Sequence, residues 1–386
     1  MSQERQAGTQ NHRRRELLTS SLGLLGWLGS AVPAHAAGEP IVVHHIGPFT
    51  GVLAASNTEA IEGARLALEA FNARGGLAGR PVQLKTLDDA QDPKRAAALL
   101  DDLLTSGKLL ALMMPRTTPS LEAMMPAITG QGVPVVGPQT GASFVNQPPK
   151  RELFTLRASY QKEAERAIRL QHSVGVRKFG LVLADDAFGR DTRIGIDAVM
   201  KELQVEPVAV ARIDNRKADM AEPVSQLMAK QPQVVLLICS AKGAAEFIKG
   251  YRTAGASATF ISLSNTSNND YLQALGPHAR GAIVMQVMPS PFNGGTPLAR
   301  DFAAAAAARK LPLSYAGLYG YASARLLLVG LQKTGKDLTR ASLIQALEGL
   351  GDIDLGGLRL RFGPGDRTGS NFVDATIITQ GGRFMR

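Results

Sequence analysis

The side chains able to do chemistry in this sequence are scattered, and where they cluster their spacing defeats most reactions. His44 and His45 are adjacent. On a strand, neighbouring side chains project to opposite faces, so the two rings cannot share one metal ion. His172 and His278 stand alone, and neither H-E-x-x-H nor C-x-x-C occurs, the spacings that gather metal ligands onto one helix face or turn. No metal and no cofactor are expected. The segment GLQKTGKD, residues 330–337, comes close to a phosphate-binding loop. Asp337 nevertheless replaces the Ser/Thr that would hold magnesium, and a helical pattern precedes the segment where a strand is required. It is read as a helix end with Gly335 as the cap. No dinucleotide G-x-G-x-x-G follows a strand pattern, and no G-x-S-x-G nucleophile elbow is present. Asp88-Asp89 and Asp185-Asp186 fall at strand ends, where neighbouring carboxylates diverge and serve turns and caps. The single cysteine, Cys239, lies in the apolar run VVLLICS; it excludes an intramolecular disulfide and reads as a small core residue. Catalysis is not expected.

What remains is a set of short polar loops suited to binding. They are Phe49-Thr50-Gly51 through Ser56-Asn57-Thr58, then Arg116-Thr117-Thr118, then Gly137-Pro138-Gln139-Thr140-Gly141-Ala142. Further along come Asp185 to Gly189, Ser240-Ala241-Lys242 and Ser264-Asn265-Thr266. One such loop means little, because hydroxyl caps and turn glycines are everywhere. Six of them falling after six predicted strands is a stronger pattern. The Arg116 loop precedes a helix start, whose free N–H groups suit an anion, and its guanidinium could grip a carboxylate with two parallel hydrogen bonds.

The elements that must position these loops alternate strand and helix. Strand patterns are expected at 41–46, 82–87, 109–114 and 133–136, with helices at 59–74, 93–105 and 119–131 between them. Asp92 and Thr118 are expected N-caps, each followed by proline. A second series starts at 153–156 and continues with strands at 179–183, 208–213, 234–239, 260–263 and 283–287. Its helices are expected at 161–174, 189–203, 220–230 and 241–254. The tail returns to helix at 297–309, 318–334 and 339–350, then to strands at 358–362 and 372–379. The Pro/Asn-rich stretch 146–150 reads as a linker between the series. Such alternation predicts α/β lobes with parallel sheets covered by helices on both faces.

Residues 1–36 carry Arg13-Arg14-Arg15, an interrupted apolar run and Ala34-His35-Ala36. That is the pattern of an export leader cleaved near Ala36, by the general or the twin-arginine route. The run is too short and too rich in glycine for a membrane anchor. The leader holds four Lys/Arg and two Asp/Glu, so net charge falls from +10 to +8 on its removal. The remaining charge is dispersed, with no basic run interleaved with aromatics, and nucleic acid is not an expected partner.

The words GPFTG, GARLALEAFNARGG, DDAQDP, GPQTGA, DDAFG and GYRTAG resemble, in order and spacing, the type I periplasmic solute-binding proteins of the leucine/isoleucine/valine-binding family. The resemblance implies two doubly wound lobes joined by three crossings near Arg157, Met288 and Gly363. Lobe 1 would comprise 37–157 plus 288–362, and lobe 2 158–287 plus 363–386. It implies a monomeric periplasmic protein, not an enzyme, that closes on a small carboxylate or amino-acid-like solute and delivers it to an ABC permease. A sensing module for a signalling partner would share the cleft. The residues implied as ligand contacts are Ser56, Arg116, Thr117, Thr118, Gln139, Thr140 and Gly141 on one side, with Asp186, Phe188, Ser240, Ser264 and Asn265 on the other. Two departures matter. Phe188 stands where a tyrosine is common, and Ser264 where amino-acid binders place the acid that pairs with an ammonium. Either Asp185 or Asp186 takes over that pairing, or the solute carries no ammonium.

Overall fold

A computed structural model describes residues 38–217, 219–335 and 337–386; the expected leader lies outside them. The chain opens with strand β1 (Ile41–Gly47), helix α1 (Ala54–Asn72), β2 (Val82–Asp88), α2 (Pro93–Thr105) and β3 (Leu112–Met113). It continues through α3 (Thr118–Gly130), β4 (Val135–Val136) and β5 (Leu153–Phe154). These five strands form one parallel sheet in the order β2-β1-β3-β4-β5. A second series follows: α4 (Tyr160–Ser173), β6 (Phe179–Ala184), α5 (Ala187–Glu202), β7 (Pro207–Ile213), α6 (Ala221–Lys230) and β8 (Val234–Ile238). Next come α7 (Ala241–Thr253), β9 (Thr259–Ser262), α8 (Asn269–Leu275) and β10 (Ile283–Gln286). The tail supplies α9 (Pro297–Ala308), α10 (Tyr315–Lys333), α11 (Arg340–Glu348) and an antiparallel meander of β11 (Gly351–Asp354), β12 (Arg359–Gly363) and β13 (Asp366–Gly369). Finally β14 (Asp374–Ile378) and β15 (Phe384–Met385) complete the second sheet, in the order β15-β14-β10-β9-β8-β6-β7.

The expected α/β class and doubly wound sheets are therefore what the chain adopts, the first sheet wholly parallel and the second parallel except for β14 and β15, which pair antiparallel at its edge. Strand β8 reads VVLLI and is buried throughout, as an interior parallel strand covered on both faces must be. Each sheet has one place where the winding reverses. From β1 the chain steps to β2 on one side and then to β3 on the other; from β6 it steps to β7 and then to β8. Such reversals leave a crevice beyond the strand ends where ligands settle.

Three local expectations are corrected. Strand β5 pairs with β4 in the first sheet, so 146–150 is a loop inside that sheet's series and not the boundary between series. Helix α1 begins at Ala54, placing Ser56, Asn57 and Thr58 on its first turns; the alanine-rich lead-in is a good helix former and carries no breaker. The β12–β13 pairing spans the expected crossing at 363, so the chain leaves this meander only after Gly369.

The tail packs back through α10, which lies against α1 backbone to backbone. A methyl group added at Gly63 would meet the Gly317 carbonyl oxygen at 1.9 Å, and one at Gly320 the Ala60 oxygen at 1.8 Å. Neither neighbour is a flexible side chain, so the helices must separate to admit it. Gly63→Ala is expected to destabilise the protein by about 1–3 kcal/mol, the usual cost of overpacking, read as a lowered midpoint in urea unfolding.

Candidate functional site

A cavity of about 480 Å³ lies at the carboxyl ends of both sheets. One wall is the loop after β3 and the start of α3, with Arg116, Thr117 and Thr118, together with Gln139 after β4. The facing wall carries Asp186 and Phe188 after β6, Asn215 after β7, Ser240 after β8 and Asn265 after β9. A smaller chamber of about 50 Å³ adjoins it, sharing Arg116, Gln139 and Asn265 and adding Ser56 and Ser264.

Arg116 is only 9% exposed. Its guanidinium donates to Gln139 Oε1 at 2.7 Å and to Ser56 Oγ at 2.8 Å. Both partners are neutral, and among the described residues no carboxylate lies within ion-pair distance of it. Burial is the main reason its pKa falls to about 10. The loop that carries it is strained: Met114 and Thr117 hold φ of +53° and +71°, conformations that side-chain-bearing residues adopt at a cost of about 1–3 kcal/mol each. Thr117 is held there by capping α3, accepting from Ser120 N at 3.1 Å, so the cap sits one residue before the expected Thr118.

The orientation of Gln139 is set by a buried relay that starts at His45. Its Nδ1 lies 3.1 Å from the Met113 carbonyl, which can only accept, so Nδ1 carries the proton. Nε2 then accepts from Asn57 Nδ2 at 3.1 Å. Asn57 Oδ1 in turn accepts from Gln139 Nε2 at 3.1 Å, which leaves Gln139 Oε1 facing Arg116. Burial holds His45 down to about 4, well below its ordinary 6.5. The unfolded chain takes up this proton near 6.5 and the folded chain only near 4. The stabilisation is therefore complete above about 6.5 and is lost as pH falls towards 4, amounting to about 3 kcal/mol. Urea unfolding is expected to show that wild type loses about 2 kcal/mol more than His45→Gln between pH 7 and pH 5.

A second buried cation lies behind the first. Arg157 and Glu163 are 5% and 0% exposed and form an ion pair. Glu163 also accepts from the Ser264 backbone N–H at 2.7 Å and from its hydroxyl at 3.0 Å, while Arg157 reaches Ser264 Oγ at 2.8 Å. Burial opposes both charges, but the pairing wins for Arg157, whose pKa is raised. Its guanidinium stacks 4.3 Å from the Tyr160 ring centre, and Tyr160 packs on Phe188 with centroids 4.5 Å apart.

The acidic groups of the large cavity are engaged. Asp186 caps α5, accepting from Phe188 N at 2.9 Å and Gly189 N at 3.2 Å. Asp185 pairs with Arg212 at 3.2 Å and Asp214 with Arg216 at 3.3 Å, all near the solvent. Asp89 accepts from Gln91 N and Ser120 Oγ, and Asp88 from Phe49 N and Ala90 N; these neighbours brace turns. Cys239 is buried, and burial pushes its thiol up to about 12. Among the described residues, no group of three or more His, Cys, Asp or Glu is placed to hold a metal ion, and no helix is long and apolar enough to cross a membrane.

A family model described as periplasmic binding protein matches residues 40–382. The chain belongs to the periplasmic binding protein family. Among relatives of this binding protein, the Leu/Ile/Val-binding protein homolog 3 of Brucella melitensis is 23% identical over 331 residues, which is 86% of this chain and 88% of that one. The substrate-binding periplasmic protein from Ralstonia solanacearum superposes with a TM-score of 0.84 at 28% identity, covering 89% of this chain and 99% of the other. A solute-binding protein of an ABC transporter from R. palustris, solved in complex with benzoate, gives 0.81 at 19% identity, with 90% and 95% coverage.

Within this binding protein, Arg116, Thr117, Thr118, Gln139, Asp186, Phe188, Ser240 and Asn265 border the large cavity. Ser56 and Ser264 border only the small one, so Thr118 and Ser264 do not face each other across a single space. Ser264 also differs from its expected part as a free contact, because the Arg157–Glu163 pair takes its hydroxyl and its N–H. Thr140 and Gly141 border neither cavity. The Thr140 hydroxyl is fully buried and hydrogen-bonded to Thr118 Oγ1 at 2.6 Å. The Gly141 carbonyl accepts from Tyr160 N at 2.7 Å, and a side chain there would press on that same nitrogen at 2.9 Å. Sequence reading missed Tyr160, Glu163 and Asn215, and the parts played by Arg157, Asn57 and His45. Only the polar, buried-strand position of His45 within an apolar run could have signalled its role.

Proposed function

We propose that this chain is the exported solute-binding component of an ABC importer, and that it captures a small carboxylate lacking an ammonium group. The observation carrying this reading is Arg116, a buried guanidinium with neutral partners at the wall of a roomy cavity. A desolvated cation of this kind regains its lost hydration from an anion, and a carboxylate matches its two-pronged geometry. An ammonium would find Asp186, whose Oδ1 already serves the start of α5, and Asp185 and Asp214, which are already paired with Arg212 and Arg216. Burying an ammonium unpaired costs several kcal/mol. Relatives lean both ways: one is named for Leu/Ile/Val, while another of the same fold holds benzoate.

In this reading the first sheet belongs to one lobe, 37–157 plus 288–369, and the second to the other, 158–287 plus 370–386. Solute binds first beside Arg116, Thr117 and Thr118, and the wall with Asp186, Phe188 and Asn265 then closes over it. Closure is favoured only by the solute's extra contacts in the closed state. The protein acts in the periplasm, with a permease as its partner, and does not transform what it binds. A sensing module would use the same cleft, and loss of solute uptake on deleting the permease separates the two.

A dye-based thermal-shift screen against carboxylates, hydroxycarboxylates and amino acids tests the proposal, because the only tryptophan, Trp27, lies in the expected leader. A ligand at a hundred times its Kd is expected to add about 2.7 kcal/mol. Carboxylates without an ammonium should register; a response to α-amino acids alone would overturn the reading.

A further inference from the structure

The chamber of about 50 Å³ behind Arg116 is lined by residues that carry polar atoms which nothing in the protein satisfies. Asn265 Oδ1, Ser267 Oγ and Gln286 Oε1 are buried without a hydrogen-bond partner, and all three residues line it. Gln286 and Ser267 are 1% and 3% exposed. Two of the three atoms are fixed as acceptors by what their amide nitrogens do. Asn265 Nδ2 donates to the Cys239 carbonyl at 2.8 Å. Gln286 Nε2 lies 2.9 Å from Thr376 Oγ1, which spends its own proton on the Val284 carbonyl and must therefore accept. Arg116 spends one N–H on Ser56 and one on Gln139 and reaches none of the three acceptors, and the Tyr319 hydroxyl donates to the Pro138 carbonyl at 2.8 Å.

Buried acceptors left unpaired are costly, and native proteins satisfy them. The chamber needs donors, and its volume admits only a group of one or two heavy atoms. The charge around it selects among donors. Arg116 and Arg157 both line it and, among the described residues, no acidic residue does; of the carboxylates nearby, Glu163 is paired with Arg157 and Glu59 accepts from the Asn269 backbone N–H. A cationic donor is repelled there, whereas a hydroxyl is not.

Resting on the carboxylate reading above, we propose that this chamber is a subsite of the cleft that accepts a neutral hydroxyl carried close to the solute's carboxylate, which makes hydroxycarboxylates the favoured ligands. Arg116 borders both spaces, so a carboxylate gripped there leaves an adjacent hydroxyl at the mouth of the chamber.

Calorimetric titration of the purified protein with matched trios tests this. One trio is 4-methylpentanoate, 2-hydroxy-4-methylpentanoate and leucine; the other is 3-phenylpropanoate, 3-phenyllactate and phenylalanine. The hydroxy member is expected to bind on the order of 10-fold tighter than its unsubstituted partner, with the ammonium member weakest. Gln286→Met and Ser267→Ala should bring the first two within about twofold of each other. Equal binding of hydroxy and unsubstituted acids by wild type, a preference undiminished in both variants, or tightest binding of the amino acid would each overturn the subsite. Silence from every carboxylate would instead remove the carboxylate reading, and the subsite with it. Should either variant fail to fold, the wild-type ranking alone decides.

Discussion

Arg116→Met is expected to weaken carboxylate binding by about 100-fold or more while raising the melting temperature of the ligand-free protein. The two effects share one cause. In the empty cleft the guanidinium is buried against neutral oxygens only, and burial draws its pKa down to about 10, so the folded state bears an uncompensated charge. An apolar side chain of similar length relieves that cost. With solute bound, the same charge makes the charge-assisted contacts that hold the anion, and losing them costs about 3 kcal/mol. Calorimetry reads the first effect and a thermal melt the second. Unchanged affinity would remove Arg116 from the site, and a marked fall in melting temperature would mean that its hydrogen bonds outweigh its desolvation.

The second large effect concerns the pair behind it. Arg157→Met leaves Glu163 fully buried with only Ser264 for company, and is expected to destabilise the protein by about 3–5 kcal/mol. Removing both charges, as Arg157→Met with Glu163→Leu, should recover most of that loss, because a buried ion pair and a well-packed apolar pair are often close in free energy. Urea unfolding of wild type, both singles and the double yields the coupling directly. A double variant no better than Arg157→Met would mean that the pair stabilises through contacts beyond its own charge, the stacking on Tyr160 first among them.

The two residues illustrate how far a sequence can be read. Arg116 was legible because local chemistry marks it: a strand pattern ends, a Thr-Thr-Pro helix start follows, and an arginine sits between them. Ser240 and Asp186 were legible for the same reason, as caps that follow apolar strands. Arg157 and Glu163 were not. They sit six residues apart in a stretch that reads as an ordinary charged helix start, and only folding buries them against Ser264, about a hundred positions later.

From the sequence alone came the alternation of strands and helices, and hence the α/β class, the parallel sheets and the six loops at their carboxyl ends. These rest on local signals, namely apolar periodicity, caps and turn residues, which operate over a few positions. Tertiary structure alone decided which loop atoms are free and which are spent. Thr140 is consumed by Thr118, Ser264 by the Arg157–Glu163 pair, and Gln139 is turned towards Arg116 by a relay from His45. Hydrogen-bond satisfaction is a sum over partners distant in the chain, and no window of sequence contains that sum.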